Sequence, residues 1–301
     1  MLDVTRLRVL EAVGRLGSVT AAAAELHYSQ PTVSHHLGRL EAETGAQLLQ
    51  RVGRGVRLTE AGRLLADRAS EIVGRIDAAD AELAGYVGLT AGRVRLAGFS
   101  SAIGSLVPAA LERLARRHPA LEVSLVDTHP VEALGLLRAG RIDVAVLFRY
   151  AETEPEPPGV RLHHLLDDPV YVLAQRRVRK LVTLADETWI AGCERCRSHL
   201  LTLCGEAGFE PRIRYTSDDM VVMQSLVAAG LGVTTIPGLA LRAHRADGIV
   251  ASEVPGAQRQ VYAATYGEPP DPPATAALLT ALTEAGDAVL SGSRSPAGRR
   301  T

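Results

Sequence analysis

Apolar positions along the first sixty residues recur with the period of helices. Val4, Leu7, Val9, Leu10, Val13 and Leu16 fall on one side of a helix predicted over residues 3–16, ending at Gly17. Ser18 then offers a hydroxyl cap to a short second helix over 19–26. Its run Ala21, Ala22, Ala23 and Ala24 gives a smooth surface that another helix can approach closely. After a turn at 27–29, Ser29 is a candidate N-cap and Pro31 sits in the first turn of a third helix, where its missing N–H costs little. On that helix Val33, Leu37 and Leu40 share the buried stripe. Pro31, Thr32, Ser34, His35 and Arg39 are left on the opposite face. Residues 51–58 then read as two strand-like pieces around glycine turns.

The pattern changes twice more. From Thr59, a candidate cap with Glu60 in the first turn, a proline-free helix is predicted to about residue 86. Along it Leu65, Ala69, Ile72, Ile76, Ala79, Leu83 and Tyr86 alternate spacings of four and three. This reads as a heptad seam for a partner helix, with packing on the chain's own C-terminal domain as the alternative. Gly85, Gly88 and Gly92 mark its end and a hinge near residue 90. Beyond Gly92, strands at 93–99, 121–127 and 142–148 alternate with helices at 106–118 and 131–139. That is repeated βαβ, hence a mainly parallel sheet covered on both faces. A polar loop follows at 151–159 and a second unit from about 161, with strands at 171–174, 189–191, 213–216 and 233–236 and helices at 197–207 and 219–229. A strand at 260–265 and a helix at 273–289 close the pattern, and 291–301 has the composition of a disordered tail.

Composition bounds these readings. A chain of 301 residues, 47% apolar and 22% charged, is expected to fold as two or more globular domains. No apolar run reaches about 18 residues and no charged-then-apolar leader opens the chain, so neither membrane insertion nor export is expected. The three cysteines, Cys193, Cys196 and Cys204, cannot make a disulfide framework and fit free thiols in a reducing cytoplasm. With 33 basic and 34 acidic residues the net charge is −1, so a nucleic-acid partner must be met by a local basic patch.

The N-terminal segment supplies such a patch. Two short helices joined by a tight turn, the second with polar side chains near its N-terminus, suit a DNA major groove. Arg51, Arg54 and Arg57 in the glycine-rich strand pair suit phosphates. A generic three-helix domain with a solvated basic loop is the plain alternative. The whole string from Gly17-Ser18-Val19-Thr20-Ala21-Ala22-Ala23-Ala24-Glu25-Leu26 through Ser29-Gln30-Pro31-Thr32-Val33-Ser34-His35-His36-Leu37, with Gly45-Ala46-Gln47-Leu48-Leu49 and Leu58-Thr59-Glu60-Ala61-Gly62, closely resembles the LysR-type transcriptional regulators.

The resemblance implies an α/β protein with an N-terminal all-α winged helix-turn-helix domain (1–58), a linker and dimerisation helix (59–89) and a two-lobed periplasmic-binding-protein-like, Rossmann-like effector domain (90–290). Lobe 1 spans about 92–161 and 265–290, and lobe 2 about 162–264. It implies double-stranded DNA as partner, with Gln30, Pro31, Thr32, Ser34 and His35 at base edges and Arg51 and Arg54 on the backbone. A small-molecule effector, a homodimer through the linker helix, assembly to a homotetramer and RNA polymerase as a further contact belong to the same expectation. Two positions depart from the family pattern. His35 and His36 stand where a long Arg or Gln is common, so the target bases do not transfer, and Leu49 replaces an aromatic before the wing. Adjacent positions on a helix diverge by about 100°, so the two histidines are poorly placed to share a metal.

Ligands of open α/β sheets lie beyond strand C-termini. That rule selects Ser100, Ser101, Thr128, Phe148, Gly192, Cys193 and Ser217 as effector contacts, with Asp218 as readily a helix cap. The serines could equally be caps and Phe148 core. Cys193-Glu194-Arg195-Cys196 has the spacing of a redox pair, which makes a redox-responsive regulator the alternative function. Structural zinc needs four ligands and only Cys204 and His199 lie nearby, so no metal and no cofactor is expected. No G-x-S-x-G, H-E-x-x-H or P-loop appears, and neighbouring Asp167 and Asp168 form no carboxylate pair, so no catalytic residue and no enzyme activity is expected.

Overall fold

The architecture is that of a computed structural model, which describes residues 2–52, 55–86 and 92–293. The chain separates into two units, residues 1–91 with 134–142 and residues 92–133 with 143–301.

In the first unit, α1 (Val4–Leu16) is capped by Asp3, whose carboxylate accepts from Arg6 N at 3.1 Å, and it ends on Gly17 at φ 64°. Ser18 caps α2 (Val19–Glu25) and Ser29 caps α3 (Gln30–Thr44), accepting from Thr32 N at 3.3 Å. Leu7, Leu10 and Val13 of α1, Ala22 and Ala23 of α2, and Val33, Leu37 and Leu40 of α3 close one core. The small α2 side chains let the helices meet closely, as their pattern requires. β1 (Leu49–Val52) and β2 (Gly55–Leu58) pair antiparallel, Leu49 opposite Leu58 and Val52 opposite Gly55. The Glu41 carboxylate of α3 accepts from Leu48 N at 2.7 Å and Leu49 N at 3.1 Å, tying the start of this hairpin to the third helix.

The long helix α4 (Glu60–Tyr86) starts at Thr59, whose Oγ1 accepts from Gly62 N at 2.9 Å and donates to Gln47 O at 2.7 Å. Its stripe divides differently from the heptad expectation. Ala66, Ala69 and Val73 are buried in the helix-turn-helix core with Leu65 packed beside them, while Ile72 and Leu83 are exposed. The first residues of the expected seam therefore serve the helix's own domain, because α4 packs along α1. The predicted hinge near residue 90 lies outside the described residues.

The second unit holds β3 (Arg93–Gly98), α5 (Ser100–Ile103), α6 (Leu106–Arg117), β4 (Glu122–Asp127), the start of α7 (Pro130–Arg138), whose residues from 134 on belong to the first unit, and β5 (Val144–Arg149). There follow β6 (Val160–Ala174), β7 (Thr188–Ala191), α8 (Glu194–Glu206), β8 (Arg212–Thr216), α9 (Met220–Ala228), β9 (Val233–Pro237), α10 (Gly238–Ala243), β10 (Val250–Tyr266) and α11 (Pro273–Ser293). The strands form one sheet in the order β4-β3-β5-β10-β6-β9-β7-β8. Each end is a parallel triplet, whereas β10 and β6 join them antiparallel.

The parallel triplets bear out the repeated βαβ expectation, and the correction concerns the length of two strands. The short predicted strands at 171–174 and 260–265 are the ends of two long strands that run through both lobes, so the junction must be antiparallel. A register shift between Glu253 and Gln258 breaks the β10–β6 ladder where one lobe gives way to the other. The other correction is at the C-terminus. The helix expected to end near 289 continues to Ser293, and the remainder of the expected tail, 294–301, lies outside the described residues. Among the described residues no helix is long and apolar enough to cross a membrane.

Candidate functional site

The third helix presents the face that its sequence predicted. Gln30, Pro31, Ser34 and His35 are exposed and Thr32 half-buried, while Val33 and Leu37 between them are buried. The Ser29 hydroxyl, 2.8 Å from Thr32 Oγ1 as well as capping the backbone, sets the first turn of this face. The His36 ring lies 5.7 Å from that of Tyr28 and 6.2 Å, edge-on, from that of His35. Arg51 lies on β1, but its side chain is outside what is described, as is all of Arg54.

The second unit contains a cavity of about 280 Å³ between the C-terminal ends of its strands. Six of the seven predicted effector contacts line it. Ser100 and Ser101 begin α5 after β3, Thr128 follows β4, Phe148 lies on β5, and Gly192 and Cys193 follow β7. Ser217 does not line it; its hydroxyl accepts from Asp219 N at 3.2 Å in the turn before α9, and the cap that the sequence left open for Ser217 or Asp218 is made instead by Asp219, whose carboxylate accepts from Val221 N and Val222 N. Asp218, beside it, does reach the wall, with its carboxylate 3.4 Å from His129 Nε2. At the rim Asp127 accepts from Ser100 Oγ at 3.2 Å and Glu132 accepts from Thr128 Oγ1.

The sequence reading missed Arg259 altogether. This residue of β10 lines the cavity and is fully buried, its guanidinium lying 4.8 Å from the centre of the Phe99 ring and 4.6 Å from that of Phe148. Its Nε donates to Asp168 Oδ2 at 2.9 Å and its Nη2 to Ser101 Oγ at 2.8 Å. Asp168 is itself buried and also accepts from Leu239 N at 2.9 Å. Burial pushes its carboxyl above the usual range, against the opposing pull of Arg259. The signal was available in the strand: Ala257, Arg259, Val261 and Ala263 alternate with exposed or half-exposed residues, so a period-two reading puts the arginine on the core face. Met220, Met223, Ile236 and Pro237 complete the missed apolar wall.

Cys193 and Cys196 meet on the same wall, their sulfurs 3.3 Å apart at the start of α8. With Cys193 ionised, the hydrogen bond from the Cys196 thiol is the main force that brings its pKa down to about 6, against the opposing effect of burial. Cys196, deeply buried and beside that sulfur, is held well above the ordinary thiol range. The Tyr150 hydroxyl lies 3.8 Å from Cys196 Sγ, and the Tyr150 ring stacks on His199, whose Nδ1 is 2.9 Å from Glu152 Oε1. Cys204 stands apart in the core of the second lobe, where burial raises its thiol to about 12. Among the described residues no group of three His, Cys, Asp or Glu side chains has metal-binding geometry.

Comparison with known proteins agrees with both halves. Residues 4–63 match the family model for the bacterial regulatory helix-turn-helix protein, lysR family, and 88–287 that for the LysR substrate binding domain. The HTH-type transcriptional regulator TfdS of Cupriavidus pinatubonensis is 32% identical over 251 residues, 78% of this chain and 82% of that protein. The DNA-binding transcriptional dual regulator OxyR of Escherichia coli is 29% identical, over 83% of this chain and 84% of that protein. Among solved structures, a full-length OxyR variant from Pseudomonas aeruginosa superimposes with a TM-score of 0.70 at 24% identity, over 94% of this chain and 98% of that one. CbnR, a LysR family transcriptional regulator, does so at 0.66 and 24% identity, over 95% and 99%. With a helix-turn-helix domain at 4–63 and a walled cavity within the substrate-binding domain at 88–287, the chain belongs to the LysR family of DNA-binding transcriptional regulators.

Proposed function

We propose that a small molecule in the cavity of the second unit controls how a homo-oligomer of this chain engages its operator. The observation that carries the reading is the cavity itself, whose lining includes six of the seven residues selected by the strand-end rule. For such control the ligand must bind two assembly states with different affinity. On the DNA side Gln30, Pro31, Thr32, Ser34 and His35 read base edges, and Arg51 and Arg54 hold phosphates. The functional partition is 1–58 for DNA, 59–89 for dimerisation and 90–290 for the effector. Pairing through the exposed remainder of α4, assembly to a tetramer, contact with RNA polymerase and a cytoplasmic site of action complete the proposal. Catalysis has no part in it.

The test is fluorescence-anisotropy binding to the DNA upstream of the chain's own gene against scrambled competitor at fixed salt. Specific binding is expected, and Gln30→Ala with His35→Ala should abolish the specificity. Equal binding to scrambled DNA would overturn the assignment.

A second reading rests on the 3.3 Å between Cys193 Sγ and Cys196 Sγ. In it the Cys193 thiolate attacks a peroxide oxygen, releasing water or an alcohol once that leaving oxygen takes a proton, and becomes a sulfenic acid. The Cys196 thiol then displaces water from that sulfur to close a disulfide. The likeness to the regulator OxyR favours trying it. Peroxide should then change DNA affinity, and Cys193→Ser should remove the response. An unchanged response in the variant would sink this reading and leave the first.

A further inference from the structure

The cavity has two ends of opposite character. At the inner end Arg259 is fully buried with Nε and Nη2 paired, but its Nη1, also buried, has no hydrogen-bond partner. A cationic donor withdrawn from water and left unpaired is costly, and contact with the Phe99 and Phe148 rings, themselves edge-to-face with centroids 4.9 Å apart, stabilises the charge without supplying an acceptor for its N–H groups. At the mouth stand three exposed carboxylates, Asp127, Glu132 and Asp218, opposed among the ionisable lining side chains there only by His129. Between the ends Phe99, Phe148, Met223 and Ile236 form an apolar strip, with the Cys193–Cys196 pair on the wall beside it.

We propose that the effector is a small amphoteric molecule of the ω-amino acid type. Its carboxylate accepts from Arg259 Nη1, a short hydrocarbon spacer lies against the phenylalanines and Met223, and its ammonium group faces the carboxylates at the mouth. The inference rests on the reading of this cavity as the effector site and names the ligand's class. Neither charge alone suits the site. A simple anion would have to pass and then sit beneath three carboxylates, and a simple cation would be driven toward a guanidinium whose free N–H needs an acceptor. A cavity of about 280 Å³ also limits the ligand to a small one.

The full-length protein is tested by melting temperature and calorimetry with straight-chain probes, the series from 4-aminobutyrate to 8-aminooctanoate. Alongside run hexanoate, which lacks the cation, hexylamine, which lacks the acceptor, and 6-aminohexanamide, whose acceptor is uncharged. At least one ω-amino acid should bind about tenfold or more tighter than each control, and raise the melting temperature accordingly. Asp127→Asn with Asp218→Asn, which keeps an acceptor for Ser100, should erase that advantage over hexanoate, weakening the amino acids while hexanoate, freed of two like charges, binds tighter. Arg259→Gln should weaken the amino acids and hexanoate together; if that variant does not fold, the mouth variant still decides.

Hexanoate binding as tightly as every amino acid, or no loss in the mouth variant, would overturn the proposal. So would the amide matching the carboxylate, or no probe binding at all. Specific DNA binding is measured on the same samples: its persistence when no probe binds overturns the ligand class alone, whereas its absence in the wild-type protein strikes the regulator reading instead.

Discussion

At Cys193 the reactivity of one atom is set by its neighbour. Because the Cys196 thiol stabilises its anion, Cys193 should alkylate with iodoacetamide at a rate that rises with pH to a plateau above a midpoint near 6 and falls off below it as the thiolate is protonated. Cys204, buried and raised to about 12, should stay unmodified across that range, and Cys196→Ala should move the Cys193 midpoint upward. Peptide mass spectrometry after timed quenching measures all three. The pair Asp168–Arg259 makes a different residue-scale prediction. Asp168→Ala leaves a buried guanidinium uncompensated and should cost about 3–5 kcal/mol in urea unfolding, whereas Asp168→Leu with Arg259→Met should cost much less, since no charge is then stranded. Neither relation was readable from spacing alone. CxxC marks two thiols one helical turn apart without saying which ionises, and Asp168 and Arg259 are 91 positions apart.

Helices and strands carried more of their own instructions. Asp3, Ser18 and Ser29 cap the first three helices by their own side chains, and Gly17 takes the left-handed φ at the end of the first. Gly62 has a reason that no local rule supplies: a Cβ there would overlap the Leu48 carbonyl oxygen, because α4 starts hard against the backbone just ahead of β1. Gly62→Ala should therefore destabilise the N-terminal domain by about 1–3 kcal/mol, seen as a lower denaturation midpoint, with weaker DNA binding at temperatures where that domain begins to melt. The heptad pattern of α4 was read correctly as an apolar stripe and too generously as a free one, since Ala69 and its neighbours close the domain core. What remains outward supports a specific expectation: Ile72→Asp with Leu83→Asp should shift the protein toward monomer in sedimentation, while Ala69→Asp should instead unfold the domain.

At the scale of the whole molecule a net charge of −1 means that DNA affinity comes from local charge rather than from the field of the protein. Binding to the operator should weaken linearly in log K against log salt, and Arg51→Ala should lower the slope by about 1 while changing affinity nearly equally for specific and scrambled DNA, in contrast to Gln30→Ala. The sequence by itself determined what depends on neighbours along the chain. It marked the three capped helices and the hairpin after them, the outward face of α3, the alternation of strands and helices beyond Gly92, and the strand ends where Ser100, Thr128 and Cys193 stand. Each of these follows from periodicity, capping chemistry or the order of elements, which act over a few residues. Only the tertiary structure decided that the strands crossing between the lobes are long and paired antiparallel, that part of the α4 stripe is already used, and that Arg259 comes to lie against Phe99 and Phe148 with one donor unpaired. Those outcomes depend on which distant segments share a core, and the buried charge at the inner end of the cavity exists only once β6 and β10 have brought Asp168 and Arg259 together.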